Sequence, residues 1–330
     1  MRYIDKDLSN SAVLITGGAG FIGSNLAFYL QEHYPDAEIV VFDRFQDGNR
    51  FENGNPISLG HFKNLLGFRG EIITGDITNR EDLERLFSRK FDYIFHQAAI
   101  SDTTATNQKL VMETNVDSFR SILEYAKRFG SKVIYASSGA VYGNSPSPQK
   151  VGNEEPKNIY GFSKLVMDNL SRRYFDEVEI VGLRYFNVYG AREFFKGKTA
   201  SMVLQFGLQI LSGQAPRLFE GSDKIFRDFI YIEDVIQANI KAIEGESGIY
   251  NVGTGIARSF QDIADILQME LGTDYGSEYI PNPYTSQYQF FTQADIRETQ
   301  QKLGYSPRFS LEDGIRDYID EIKRIYRDEK

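Results

Sequence analysis

The sequence predicts an α/β protein, a doubly wound parallel sheet with a smaller mixed α/β C-terminal lobe. Three observations predict it. Continuous runs of Val, Ile, Phe and Tyr recur through the first half, stretches with helical spacing separate most of them, and glycines stop the first run. Strands buried on both faces read as unbroken apolar runs, and strand–helix alternation belongs to parallel sheets.

The first run, SAVLITGG (11–18), is followed by SNLAFYLQEHY (24–34), with Leu26, Phe28, Tyr29 and Leu30 as the apolar positions of a helix. Further strands are predicted at AEIVVFD (37–43), GEIITGD (70–76), FDYIFHQAA (91–99), SKVIYASS (131–138) and VEIVGLRYFN (178–187). Beyond residue 192 the pattern loosens. ASMVLQFGLQILSG (200–213) reads as one helix, LFEGSDKIFRDFIYIEDV (218–235) mixes turn and strand, and 272–288 is rich in Tyr, Pro and Ser. Ile315, Tyr318, Ile319, Ile322, Ile325 and Tyr326 mark an amphipathic helix packed on the body. The expected division gives residues 1–190, with return segments near 228–256, to the sheet domain, and 191–227 with 257–330 to the second lobe.

Composition narrows the function. At 330 residues and 41% hydrophobic, the chain can bury a sizeable core. The net charge of −9 and the lack of any lysine or arginine run argue against a general nucleic-acid footprint. With no cysteine and three scattered histidines, His33, His61 and His96, neither disulfides nor a metal centre are expected. The N-terminus lacks a charged-then-apolar leader, and no apolar run approaches the roughly 18 residues of a membrane span. A soluble, cytoplasmic protein without membrane partners is expected.

LITGGAGFIGSN (14–25) places glycines at 17, 20 and 23 between the first strand and the first helix. Gly17, Gly20, Phe21, Ile22 and Gly23 would let the backbone approach a pyrophosphate, whose charge then lies at a helix N-terminus. Asp43, ending the second strand, is placed to bind ribose hydroxyls. A carboxylate there favours NAD, yet Arg44 and Arg50 in DRFQDGNR could pair with a 2′-phosphate, so charge favours NADP with NAD as the alternative. Asp76 in GDIT is placed for the adenine. Gln97, Ala98, Ala99, Ile100 and Ser101, after the fourth strand, would face the rest of the cofactor, and Asn115 would reach the same region.

YGFSK places Tyr160 and Lys164 four residues apart, on one face of a helix. A free tyrosine, with pKa about 10, is a poor base at neutral pH. A neighbouring ammonium and a positive nicotinamide ring favour the phenolate, so the pair could take a proton from an alcohol. YASSGAVYG (135–143) adds Ser137 and Ser138, hydroxyls able to bond the reacting group, with Ser138 the one that completes a Ser–Tyr–Lys triad. The glycine spacing, the serine-bearing strand and YxxxK, in this order, resemble the extended short-chain dehydrogenases/reductases, a Rossmann-like superfamily of nucleotide-sugar enzymes. The resemblance extends over nearly the whole chain.

RYFNVYGAREFFKGKTAS, LFEGS, RDFIYIEDV, YNVGTG and YQFFTQAD together resemble the ADP-L-glycero-D-manno-heptose 6-epimerase family. That resemblance implies inversion at C6 of an ADP-heptose for the lipopolysaccharide core, through a 6-ketone and bound NADP, in a homo-oligomer, a pentamer. Inversion needs a second proton donor on the other face, and the resemblance assigns it to Lys196, with a pKa lowered by burial or by Arg192 or Lys198. Alone, the loop 191–201 reads as solvated charge. The resemblance also places Val188 and Lys196 beside the cofactor, and Asn187, Lys198, Gln205, Phe219, Glu220, Gly221, Ser222, Arg227 and Tyr288 beside the substrate. Lys198 stands where a relative has serine, so Thr199 or Ser201 could take that contact. The alternatives are an NAD-dependent UDP-hexose 4-epimerase, which needs no lysine base, and a dinucleotide-binding sensor without turnover. Gly139 and Ala140, where dehydratases carry acids, argue against a dehydratase.

Overall fold

The computed structural model describes residues 1–282 and 290–329. The first half alternates as the apolar runs predict: β1 (Ala12–Thr16), α1 (Phe21–His33), β2 (Glu38–Asp43), β3 (Glu71–Thr74), α2 (Arg80–Leu86), β4 (Tyr93–His96), α3 (Gln108–Met112), α4 (Ser118–Phe129), β5 (Lys132–Ser138), α5 (Ile159–Arg172) and β6 (Ile180–Tyr185). There follow β7 (Asn187–Tyr189), α6 (Met202–Leu211), β8 (Arg217–Phe219), β9 (Phe226–Tyr231), α7 (Ile232–Lys241), β10 (Gly248–Val252), β11 (Ala257–Ser259), α8 (Phe260–Leu271), β12 (Glu278–Ile280), α9 (Arg297–Leu303) and α10 (Leu311–Asp328).

Among the described residues, seven strands form one parallel sheet in the order β10-β6-β5-β4-β1-β2-β3. Its inner strands are buried on both faces, as unbroken Val/Ile/Phe runs require. The edge strand β3 departs from that expectation, with Ile72 44% exposed. One apolar core lies between the sheet, α1, α7 and the C-terminal helices; a second lies under the other face, against α4 and α5.

The run 178–187 is two strands rather than one. After Tyr185 the Phe186 N–H still bonds Val252 O at 3.0 Å. The chain then leaves the sheet, and β7 pairs with β9, which also pairs with β11. Of the segment 228–256, β10 rejoins the main sheet, whereas β9 belongs to this three-stranded one. The last helix is as expected: Ile315, Tyr318, Ile319, Ile322 and Ile325 are buried. Among the described residues, no helix is long and apolar enough to cross a membrane.

Candidate active site

The strand order reverses between β1 and β4, and beyond the carboxyl ends of these strands a cleft of about 510 Å³ opens. Gly17, Gly20, Phe21, Ile22 and Gly23 line it. Gly17 has φ +69°, and a Cβ there would stand 2.6 Å from Ala98 N. Gly20 caps α1 without a side-chain bond, so the first-turn N–H groups remain available to an anion.

Asp43 is buried at the end of β2. Its carboxylate accepts from Ala19 N at 3.0 Å and Phe45 N at 2.8 Å; burial raises its pKa against these bonds. Gly60 lies against it, where a Cβ would come within 2.1 Å of Oδ1. The loop 44–60 thereby folds back and brings Ile57, Ser58, Leu59 and Gly60 into the lining. Sequence reasoning missed these four, because the loop has no periodicity. Its closure rests on Gln46 N to Gly60 O (2.9 Å) and His61 N to Ala19 O (3.0 Å).

Arg44 and Asp76 also line the cleft, as an ion pair at 3.1 Å, and Arg44 pairs with Asp47 at 2.7 Å. Arg50 does not join them. It is exposed, bonds Gly54 O at 3.0 Å and stands outside the lining, because residues 50 and 56 pair locally. Gln97, Ala98, Ala99, Ile100 and Ser101 line the floor. Asn115 is a further correction. It lies in a π turn (Glu113–Asp117), fully buried, where it accepts from Ile100 N (2.8 Å) and donates to Ile100 O (3.0 Å) and Ser163 Oγ (2.9 Å). It therefore holds the floor of the cleft without reaching into it.

At the chemical end, α5 starts at an Asn158 cap and carries Tyr160 and Lys164 into the cleft. Ser138, at the end of β5, is placed to act on the Tyr160 hydroxyl and opposes the rise of its pKa, which distinguishes it from Ser137. The expected lowering of the Tyr160 pKa is absent here: burial raises it, Ser138 opposes, and the Lys164 ammonium is turned elsewhere. Lys164 Nζ donates to Ala136 O at 2.7 Å and lies 6.0 Å from the Tyr160 ring centre. Burial lowers its pKa to about 7, with Asp168 opposing. His96, below, is held neutral by burial and by Lys164, its pKa lowered to about 3. The hydroxyls of Ser137 and Thr114 line the cleft, buried and without a partner among the described residues. Orphan hydroxyls, free helix N–H groups and a glycine turn together fit a dinucleotide.

Lys196 lies on a short 3₁₀ segment (Phe194–Thr199) and lines the same cleft, with Nζ 5.1 Å from the Phe21 ring centre. Burial lowers its pKa, with Glu193 opposing. The cations proposed for this task are not its causes. Arg192 bonds Asn64 O at 2.7 Å and lies over Phe28, while Lys198 is exposed and outside the lining. Glu193, whose role was missed although it stands in the quoted motif, shapes the loop. Fully buried, it accepts from Gly190 N (3.1 Å), Ser201 N (2.6 Å) and Ser201 Oγ (2.7 Å). Ser201 thus has its hydroxyl engaged, and Thr199 Oγ1 bonds Lys196 O at 2.9 Å; both line the cleft.

Asn187 and Val188 line the cleft from β7. Gln205 does not; it braces the loop through Ala200 O at 2.7 Å. Phe219, Glu220, Gly221 and Ser222 form a turn outside the lining, with Gly221 at φ +79° and Ser222 Oγ bonding Phe219 O at 2.6 Å. Arg227 lies 5.9 Å from the ring centre of Phe260, which does line the cleft. It is thus one ring removed from that space. Tyr288 lies outside the described residues.

A family profile described as the NAD dependent epimerase/dehydratase family matches residues 13–253. The ADP-L-glycero-D-manno-heptose-6-epimerase of Helicobacter pylori is 53% identical over 98% of this chain and 99% of its own, with a TM-score of 0.90. The chain belongs to this epimerase family. More distant members are similar in structure as well. The UDP-N-acetylglucosamine 4-epimerase of Methanobrevibacter ruminantium is 26% identical over 98% of this chain and 100% of its own, TM-score 0.84. The UDP-glucuronic acid 4-epimerase of Bacillus cereus, solved with NAD, is 28% identical over 96% and 100%, TM-score 0.82. This epimerase is accordingly an isomerase of the nucleotide-sugar class, and the Rossmann-like fold and the heptose-epimerase resemblance expected from sequence agree with these findings.

Proposed function

We propose that this epimerase inverts C6 of ADP-D-glycero-D-manno-heptose to the L-glycero epimer, with NADP as its resident cofactor. The observation that carries the reading is one cleft lined by Tyr160 from α5 and by Lys196 from a different element, each desolvated. The likeness to the Helicobacter pylori enzyme supports the ADP-heptose substrate. A 4-epimerase would leave Lys196 without a task.

A bound nicotinamide dinucleotide supplies the acceptor, and later the donor, of hydride. Gly17 to Gly23 hold its pyrophosphate, Asp43 its ribose end, Arg44 the 2′-phosphate of NADP, and Gln97 to Ser101 and Val188 the remainder. Tyr160, aided by Ser138, takes the C6 hydroxyl proton as the C6–H bond breaks. Its phenolate is favoured once Lys164 swings from Ala136 O toward it. The resulting 6-ketone turns, and Lys196 delivers a proton to the oxygen as the opposite face of C6 receives hydrogen. Burial suits Lys196 to that transfer, since it lowers the cost of giving up the proton. Asn187, Thr199 and Arg227 hold the substrate, the last through its pyrophosphate. Residues 191–227 and 257–330 supply this substrate lobe, and the assembly is a homo-pentamer in the cytoplasm, serving lipopolysaccharide core synthesis.

The test is turnover of the two ADP-heptose epimers against UDP-hexoses, with identification of the cofactor released on denaturation. ADP-heptose inversion and released NADP are expected, and Tyr160→Phe and Lys196→Met should each abolish inversion while retaining NADP. Inversion of UDP-hexoses alone, or near-parental rates in Lys196→Met, would refute the reading. Light scattering checks the pentamer.

A further inference from the structure

Lys196 makes no ion pair among the described residues, and Gly197 beside it has φ +58° with open space around its α-carbon. Its aim therefore depends on the backbone that carries it, tied within the loop by Glu193 and Thr199 Oγ1 and from outside through Phe195. That backbone is anchored on the dinucleotide side of the cleft. The His61 ring stacks face to face on Phe195, centroids 3.7 Å apart and planes 6° from parallel. Gln46 Nε2 donates to Phe195 O at 3.1 Å. At the base of the same loop, Asn25 Nδ2 donates to Ala191 O at 2.9 Å.

The anchoring residues belong to the ribose end of the site. His61 N and Asn64 Nδ2 both donate to Ala19 O, at 3.0 and 3.1 Å. Ala19 N in turn donates to the Asp43 carboxylate, and Gln46 N closes the loop onto Gly60 O. The glycine turn, Asp43, the cleft-lining residues 57–60 and Phe195 are thus parts of one connected body, and Lys196 is the next residue along the chain.

We infer that His61, with Gln46, is a positioning residue for Lys196, which it aims through the Phe195 ring. The second acid/base is held from the cofactor side of the cleft, so dinucleotide binding and the placing of Lys196 are linked, each favouring the other. This rests on the reading of Lys196 as the second acid/base. His61 itself touches neither reactant, and its imidazole contributes a flat surface that another aromatic ring can replace.

The experiment uses the holoenzyme and single-turnover reduction of its nicotinamide, read by absorbance, with each ADP-heptose epimer separately. Tyr160→Phe and Lys196→Met establish which epimer depends on which base. His61→Ala should slow, by about tenfold or more, the half-reaction that Lys196→Met abolishes, because small misplacements of a reacting group are costly in rate. The other half-reaction should stay within about twofold, and His61→Phe should recover most of the loss. A second readout needs no turnover. Acetylation of Lys196, followed by mass spectrometry, should slow when NADP is restored to parent protein stripped of its cofactor. It should be faster and insensitive to NADP in His61→Ala. Equal slowing of both half-reactions, or parental labelling in His61→Ala, overturns the inference. Near-parental inversion by Lys196→Met would instead remove the reading on which it rests.

Discussion

Replacing Arg184 by Met tests whether the helix bearing Tyr160 and Lys164 is held by a buried charge network. Arg184 is fully buried on β6. Its Nε donates to Asp168 Oδ2 at 2.9 Å, and the guanidinium pairs with that oxygen at 2.8 Å and with Glu154 at 2.6 Å, and donates to the Tyr142 hydroxyl at 2.8 Å. Asp168 lies on α5, one helical turn beyond Lys164, and has no exposed surface. Methionine fills the volume and leaves two carboxylates without their cation. Breaking a buried pair in this way costs about 3–5 kcal/mol. With an unfolding entropy of about 2.1 cal/mol/K per residue, a chain of 330 residues should lose about 4–7 °C in Tm.

Scanning calorimetry at neutral pH measures this directly. The pH dependence has a definite sign. Burial alone would raise the Glu154 carboxyl, but the Gly152 N–H and Arg184 outweigh it and hold its pKa below 4.5. The stability drawn from that group is present above the unfolded value and fades as pH falls through the folded one. The gap between parent and Arg184→Met should therefore narrow in acid. Arg184→Met/Asp168→Leu, which removes the cation together with its fully buried carboxylate partner, should lose less than the single variant. An unchanged Tm in the single variant, or a gap that widens in acid, would refute the argument.

Lys164→Met probes a cation whose pKa burial has lowered to about 7 from 10.5. Between these values the unfolded chain binds a proton that the folded chain does not, so the parent gains stability as pH rises, by at most about 1.4 kcal/mol per unit. Urea denaturation at pH 7, 8 and 9 should show the difference moving in the parent's favour, and a constant difference contradicts this. Gly60→Ala would drive a methyl into the Asp43 carboxylate, held by two N–H donors, at an overpacking cost of about 1–3 kcal/mol. Calorimetric titration should show weakened NADP binding, and an unchanged Kd means that the loop is not closed as described. Lys198→Ala should leave kcat/KM within about twofold, as for an exposed position free of special contacts; a large rise in KM would place Lys198 on the substrate after all.

The parts legible in the sequence are those written in consecutive residues. β1, β2, β4 and β5 are short unbroken apolar runs because both their faces are covered, and the glycine turn and YGFSK each lie within one element and its cap. What escaped was written across the chain. Ile57 to Gly60 enter the cleft only through bonds from Gln46 and to Ala19. Arg50 has the right charge, but a local pairing with residue 56 keeps it outside. The break after Tyr185 is invisible in RYFNVY, since both strands read as apolar and only the change of partner from β10 to β9 separates them. Of the two causes expected for a lowered Lys196 pKa, burial acts and the neighbouring cations do not.

The π turn between α3 and α4 has a consequence for how this site can vary. An α-helix advances about 100° per residue, so one additional residue in a turn rotates everything after it against everything before. Ahead of the turn, Val111 packs with Phe51, Ile100 and Ala105, a small cluster at the cofactor end. Behind it, Phe119, Ile122 and Leu123 pack against the main sheet. The wide turn stands between the two clusters and turns Asn115 onto Ile100. Point substitutions can weaken either cluster but leave the phase alone; deleting a single residue from 113–117 would shift it. This stretch should therefore tolerate changes of residue far better than changes of length.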